Sequence, residues 1–346
     1  MLLPEFLYPG NLLVLLSVLI LALVLDYIYP YHSGLLLKIH PVHTSYVLAL
    51  RLGKPYSSRT RGIVTWFIVT TIHLLVYGAI LYFAWYINLY LWILIASYIT
   101  KTSISIKLLI DIVKNVHKCA LRGDWNCSRF WAQQIVRRNV YELDEEHVIS
   151  ASIESLAESL VDGFSSPLFY YVFLGPLGAL LQRIANTLDG ALGFKTSEYL
   201  YVGWFSAKMD TVLNYIPARI TALLIVLLSP LINGNVRYSY RIWKEFCRKT
   251  ESLNAGHPIS AIAGALGVKL EKPQHYTIGF SKEKLNAVTI ARALRISIAV
   301  TIVWISIAIV LLAFITFAAS AYIDNLVHIF NTIKVICEQI ASPRLL

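Results

Sequence analysis

Three carboxylates recur four positions apart at Glu154, Glu158 and Asp162. Each four-residue step rotates a helix by only about 40° beyond a full turn, so the three share one face. Like charges at that spacing weaken a helix by a few tenths of a kcal/mol. A solvated acidic face would tolerate this, and a cation-collecting face would use it, because Mg²⁺ prefers hard oxygen ligands. A second polar set, Asn186-Thr187-Leu188-Asp189-Gly190, follows an apolar stretch. A third pairs Asp210 with Asn214, ahead of Pro217 and Arg219. Ionisable groups near or within membrane segments are costly, which makes them functional candidates; a buried network closing a helix bundle is the structural alternative. Lys195, Lys208 and Arg219 are the cations able to pair with these acids or with a phosphate.

His40-Pro41-Val42-His43 places two histidines three apart, but Pro41 argues against a regular metal-binding helix, so a loop role is expected. The stretch Asn254–Gly267 is glycine-rich, a weak signal that fits a packed helix with a turn as well as a phosphate cradle. Gly53-Lys54 runs into Pro55, so no standard phosphate loop forms there, and no G-x-G-x-x-G, H-E-x-x-H or G-x-S-x-G occurs. The four cysteines, Cys119, Cys127, Cys247 and Cys337, lack metal-site spacing and are expected as free thiols in a reducing compartment.

The elements that must position these groups follow from composition. Of 346 residues, 57% are hydrophobic and only 14% charged. That excludes an ordinary soluble globule and a disordered chain, and leaves a polytopic membrane protein whose backbone must be hidden in helices or a closed barrel; the long charge-free runs make an all-α bundle the expected class. The net charge of +10 is better explained by basic loops facing the cytoplasm and anionic lipid than by nucleic acid, for which no module is present.

Expected spans are about 6–26, 62–86, 89–100, 164–182, 211–232 and 296–323, in one membrane domain covering 1–346, with five as the approximate count. The charge-free run Gly62–Thr100 is twice the needed length and is split near Asn88, with Trp85, Tyr86, Tyr90 and Trp92 as an interfacial belt. The region 164–182 carries Pro167, Gly175, Pro176 and Gly178, and is either a span or a re-entrant hairpin. Residues 29–61 hold five basic residues and no acid, and 233–295 hold eleven Lys and Arg against four Glu. Together with 101–162, these are placed in the cytoplasm. Lys107, Lys114 and Lys118 lie on an expected amphipathic surface helix. Asp144 is the expected N-cap of a helix running through the three acids and stopping at Gly163.

The order of these motifs resembles the adenosylcobinamide-phosphate synthase family of cobalamin biosynthesis. The likeness runs through Ile153–Glu158, Asp162-Gly163, Ser166–Phe169, Asn186–Asp189, Gly193-Phe194 and Tyr199. It continues through Gly203, Ser206–Asp210, Asn214, Pro217–Arg219, Asn254–Gly267, Pro273 and Tyr276; Asp26 and His40-Pro41-Val42 fit at the amino end. It covers most of the chain and is densest from Arg138 to Tyr276. Departures from the family pattern fall at Tyr29–Tyr31, Asn139, Ser159, Arg183 and Thr211, two of them losing a carboxylate.

The resemblance implies a membrane-bound ligase. It would join an aminoalcohol phosphate, typically aminopropanol phosphate, to a carboxylate of adenosylcobyric acid, with ATP hydrolysed and Mg²⁺ as cofactor. The implied catalytic set is Glu158, Asp162, Asp189, Asp210 and Lys208, with the four carboxylates also as metal ligands. Arg138, Glu154, Asn186, Asn214, Arg219, Asn254 and His40 are the implied substrate contacts. The partners are then the corrinoid, the aminoalcohol phosphate, ATP and the lipid bilayer, with no nucleic acid and with homo-oligomerisation left open. The expected location is the cell membrane, with the active site facing the cytoplasm. A transporter, or a non-catalytic membrane protein of the same fold, is the competing reading. All of it requires the separated acids to meet in one cavity, with the Arg183–Asp210 region folded into it.

Overall fold

The computed structural model describes residues 3–341, with the side chains at 320 and 322–341 outside that description. The protein is helical, and the described residues include one small strand pair. Five helical stretches are long and apolar enough to cross a membrane, as expected for a polytopic bundle.

Helix α1 (Leu12–Ile28) starts where the Asn11 side chain accepts the Leu13 and Val14 N–H groups. A short α2 (Gly34–Lys38) leads to α3 (Pro41–Leu52). His40, expected in a loop, is the N-cap of α3. Pro41 occupies the first helical position, where a missing N–H costs nothing. Helices α4 (Arg59–Ile87) and α5 (Leu89–Ser103) divide at Asn88, as expected, and the Asn88 side chain caps α5 by accepting the Leu91 N–H at 2.8 Å. The aromatic belt is only partly as expected. Tyr86 and Tyr90 are exposed, but Trp92 is fully buried and donates from its indole to the Phe6 carbonyl at 2.9 Å.

Helix α6 (Ile106–Leu121) is the expected amphipathic helix, followed by a turn at Gly123 (φ +71°) and α7 (Trp125–Ala132). That reversal brings the Cα atoms of Cys119 and Cys127 to 5.6 Å, and the two form a disulfide rather than the expected free thiols. Cys247 is buried and unpaired, while Cys337 lies outside the described side chains.

Helix α8 (Glu145–Leu160) is capped by Asp144, which accepts the His147 N–H at 2.8 Å. It does not stop at Gly163. A π-helical turn over Val161–Ser165 carries it into α9 (Ser166–Leu192), because the freed Gly163 carbonyl finds a donor in the Ser105 N–H at 2.8 Å. Within α9 the backbone breaks at Gly175 (φ 67°, ψ −157°), directly before Pro176. The two arms then run antiparallel. A Cβ at Gly178 would collide with the Tyr170 carbonyl, and one at Gly163 would lie 4.0 Å from Arg183 Nη1. The 164–182 region is therefore the helical hairpin, not a single span. Its tip lies against Leu7 and Tyr8, ahead of α1.

Helix α10 (Trp204–Leu228) follows, then α11 (Val236–Phe246) and α12 (Gly256–Leu266). Strands β1 (Leu270–Lys272) and β2 (Tyr276–Ile278) pair antiparallel, with Leu270 opposite Ile278. The last helix, α13 (Ala287–Ala341), begins well before the expected 296. It packs back on α10, where Trp304 donates to the Thr221 hydroxyl at 3.0 Å.

Candidate active site

The hairpin decides the site. A straight helix from Asp162 to Asp189 would separate them by roughly 40 Å at 1.5 Å per residue. Reversal at Gly175 instead returns Arg183, Asn186 and Asp189 to the level of the π-turn, and all of them line one cavity of about 560 Å³. Helix α8 supplies Glu154 and Glu158, the π-turn supplies Asp162, α10 supplies Asp210, and the segment before α12 supplies Asn254. Arg137 and Arg138 enter from the link after α7, and Lys272 and Tyr276 from the strand pair. Five carboxylates and four cations thus share one hollow that opens to solvent.

Each acid has a defined setting. Asp210 accepts from Asn186 Nδ2 at 3.1 Å and from Asn214 Nδ2 at 2.9 Å, and Asn214 in turn accepts from Gln182 at 2.9 Å. This chain orients the carboxylate from behind, since Asn214 is fully buried. Glu154 is held on both oxygens: Oε1 accepts from the Ser150 hydroxyl at 2.6 Å and faces Arg138 at 3.5 Å, and Oε2 accepts from the Tyr276 hydroxyl at 2.7 Å. Burial, and then the Glu154 charge, push the Tyr276 phenol upward, so it stays a donor. A Cβ at Gly193 would collide with the Asp189 carboxylate, so this glycine leaves room for the acid.

The cations are less satisfied. Arg183 donates to the Asp162 main-chain carbonyl at 3.4 Å, and the Nε atoms of Arg183 and Arg138 are buried with no protein partner. Buried guanidinium groups with spare donors on a cavity wall suit an anion bearing several oxygens. The acids do not form a preformed cage. Among the described residues no three His, Cys, Asp or Glu side chains group closely enough to hold a metal ion. The four carboxylates expected as metal ligands line the cavity without forming such a group. One or two of them with water and a phosphate would still suit Mg²⁺, which keeps much of its hydration.

Of the residues singled out in the sequence, Glu154, Glu158, Asp162, Asn186, Asp189, Asp210, Asn254 and Arg138 line the cavity. Asn214 stands behind it. Lys208 does not reach it: two positions from Asp210 is about 200° around a helix, and the side chain is exposed. Arg219 is also outside. Nine positions from Asp210 places it on the opposite face and roughly 13 Å further along. There it stacks on Tyr215 at 3.3 Å and donates to Asn254 Oδ1 at 3.2 Å, while Asn254 Nδ2 donates to the Thr211 carbonyl. His40 does not line the cavity; its ring lies 4.3 Å from that of His32. Burial, then the His32 ring and the Lys101 and Arg183 charges, hold its pKa down at about 3.

Arg137, Arg183 and Lys272 were not singled out as site residues. Arg183 had a legible signal, since it precedes Asn186 and Asp189 at three-residue spacing on a helix that leaves an apolar run. Lys272 had none, because the short strand pair brings it in.

Residues 19–303 match the family described as CobD/Cbib protein. Relatives carrying the name "Probable cobalamin biosynthesis protein CobD" include one from Aeropyrum pernix, 48% identical over 265 residues, which are 77% of this chain and 83% of that protein. Another, from Methanothermobacter thermautotrophicus, is 38% identical over 59% of this chain and 69% of its own length. A third, from Thermoplasma volcanium, is 37% identical over 66% of this chain and 76% of its own. No solved structure matches. With the family match reaching from α1 into α13 and taking in every residue of the cavity, the chain belongs to the CobD/Cbib protein family.

Proposed function

We propose that the protein is a membrane-embedded amide ligase acting in cobalamin biosynthesis. It would join the amine of an aminoalcohol phosphate, such as aminopropanol phosphate, to a side-chain carboxylate of adenosylcobyric acid while ATP is hydrolysed. The relatives' names support the pathway. The observation that carries the chemistry is the meeting of an acidic wall and a cationic rim in one open cavity.

A free carboxylate is a poor electrophile, and phosphorylation by ATP makes it an acyl phosphate with ADP leaving. The amine then attacks the carbonyl and phosphate leaves as the amide forms. Arg137, Arg138, Arg183 and Lys272 offset the negative charge of the phosphates in both steps. The acidic wall draws in the ammonium group of the amine. Glu158, the most open of these acids, accepts its proton before attack. Asn186 and Asn214 fix Asp210 so that its free oxygen faces the cavity. One or two of Asp162, Asp189 and Asp210, together with water and a phosphate, would hold Mg²⁺, which when bound supplies charge neutralisation at the transferring phosphate.

Residues from the regions 101–162 and 233–295 line the cavity, which supports an opening toward the cytoplasm, where ATP is available. The test is direct. Purified protein with adenosylcobyric acid, aminopropanol phosphate, ATP and Mg²⁺ yields an amide product with one ADP per turnover. Solute flux in vesicles without amide or ADP would favour a transporter instead.

A further inference from the structure

Beside the cavity, on the far side of the strand pair, lies a second hollow of about 550 Å³ that opens more widely to solvent. Tyr276 lines both, so a single side chain stands between the two. Phe246 and Phe280 form its apolar part, in edge-to-face contact with ring centroids 5.4 Å apart. Phe280 is 49% exposed, yet it sits on the loop after β2, away from the long helices whose apolar faces meet lipid. Its position is built in. Gly279 before it takes φ +81°, and a Cβ there would lie 2.6 Å from the Val268 carbonyl. Lys249, Lys269 and His275 rim the hollow with hydrogen-bond donors.

The two hollows are of similar volume, and it is the chemistry of their linings that divides them. The site cavity must admit a nucleotide's phosphates and the aminoalcohol phosphate, and cavities of about 300–1,000 Å³ hold drug-sized ligands. A corrinoid macrocycle differs from those ligands in chemistry. Its ring is broad, apolar on its faces and fringed with amides. An aromatic floor with a rim of donors complements that chemistry, and a polar, highly charged cavity does not.

Resting on the ligase reading, we infer that the Phe246–Phe280 hollow seats the corrin ring, with one carboxylate arm passing Tyr276 into the cavity. The strand pair is the platform that sets this distance. It is tied to α8 by Tyr276 on Glu154 at 2.7 Å and by the Glu271 N–H on the Ser150 hydroxyl at 2.8 Å.

The experiment is equilibrium dialysis of the full-length, detergent-solubilised protein against cobyric acid, read by corrin absorbance. A parallel titration uses a fluorescent ATP analogue. Phe280→Ala, an exposed position, should weaken cobyric acid binding about tenfold or more. It should leave the nucleotide titration and the thermal transition as in wild type, and Phe246→Leu should show a smaller loss in the same direction. Wild-type protein that binds cobyric acid while both variants bind it equally well would overturn the assignment of the hollow. So would variants that lose the nucleotide and keep the corrinoid. Wild-type protein that binds no cobyric acid would instead sink the ligase reading itself, and this inference with it.

Discussion

Arg183 Nη1 donates to the main-chain carbonyl of Asp162 at 3.4 Å, joining the two arms of the helical hairpin at its open end, 21 positions apart in sequence. The contact ties the π-turn to the return arm. It brings the acid that ends one helical face to the level where Asn186 and Asp189 begin another.

Replacing the acids tests the shared cavity. Asp162→Asn and Asp189→Asn should each lower amide formation by about a hundredfold or more, the scale of losing one electrostatic group from a reaction centre. Both proteins should remain in the membrane with a wild-type thermal transition. Turnover at the wild-type rate by both would refute the roles given to them.

Lys208 provides the matching control. It is exposed and is not among the residues that line the hollow. Lys208→Ala should therefore keep the rate of amide formation within about twofold of wild type, since surface substitutions rarely shift energies beyond about 0.5 kcal/mol. A hundredfold loss would return the lysine to the site.

The hairpin depends on Gly175. Its backbone lies in a region essentially restricted to glycine, and a Cβ would approach the Leu7 carbonyl to 2.7 Å. Gly175→Ala should cost about 1–3 kcal/mol in backbone strain alone, with the carbonyl contact adding to it. A lowered thermal transition in detergent, with activity lost in parallel, is the expected result. An unchanged transition would mean that the tip can relax.

Acid should destabilise the region around α12. His257 accepts a hydrogen bond from the Trp243 indole at 3.0 Å. Burial, then the charges of Arg219, Arg248 and Lys244, hold its pKa at about 4. The unfolded chain takes up this proton near pH 6.5 and the folded one only near 4, so protonation favours unfolding. The contribution is complete above about pH 6.5 and is lost as pH falls toward 4, with a slope of up to about 1.4 kcal/mol per pH unit. Melting curves between pH 7.5 and 4.5 should show a shallower acid decline for His257→Gln. Equal slopes would remove His257 as the cause.

The Tyr276 hydroxyl can be tested alone. Tyr276→Phe leaves one oxygen of buried Glu154 without its donor and should cost about 1–3 kcal/mol. If the strand pair positions substrate, the loss should fall more on KM for the corrinoid than on kcat. A change in kcat only would assign the tyrosine to the chemistry instead.

Much of this was legible before any coordinates. The apolar excess and charge deficit required helices that satisfy their own backbone in lipid. Asp144 marked a helix start because a cap needs only its own side chain and the next turn, and the charge-free run around Asn88 had to divide because it was twice the length of a span. The four-residue spacing of Glu154, Glu158 and Asp162 survives because helical periodicity is local. Other features were not legible. Gly163 looked like a helix stop, yet a donor from Ser105, far away in sequence, lets the chain continue through a π-turn. Cys119 and Cys127 gave no sign of pairing until the turn at Gly123 fixed their separation.

Linear order determined which residue types could do chemistry and which side chains share a helix face, since the first is composition and the second depends on neighbours within a few positions. Only the tertiary fold decided that Asp189 and Asp210 meet Asp162, that Lys208 and Arg219 do not, and that Lys272 and Tyr276 complete the wall. The reason is geometric. A single backbone reversal at Gly175 replaces a separation of roughly 40 Å with a shared cavity, and nothing in local periodicity encodes where a returning segment will dock.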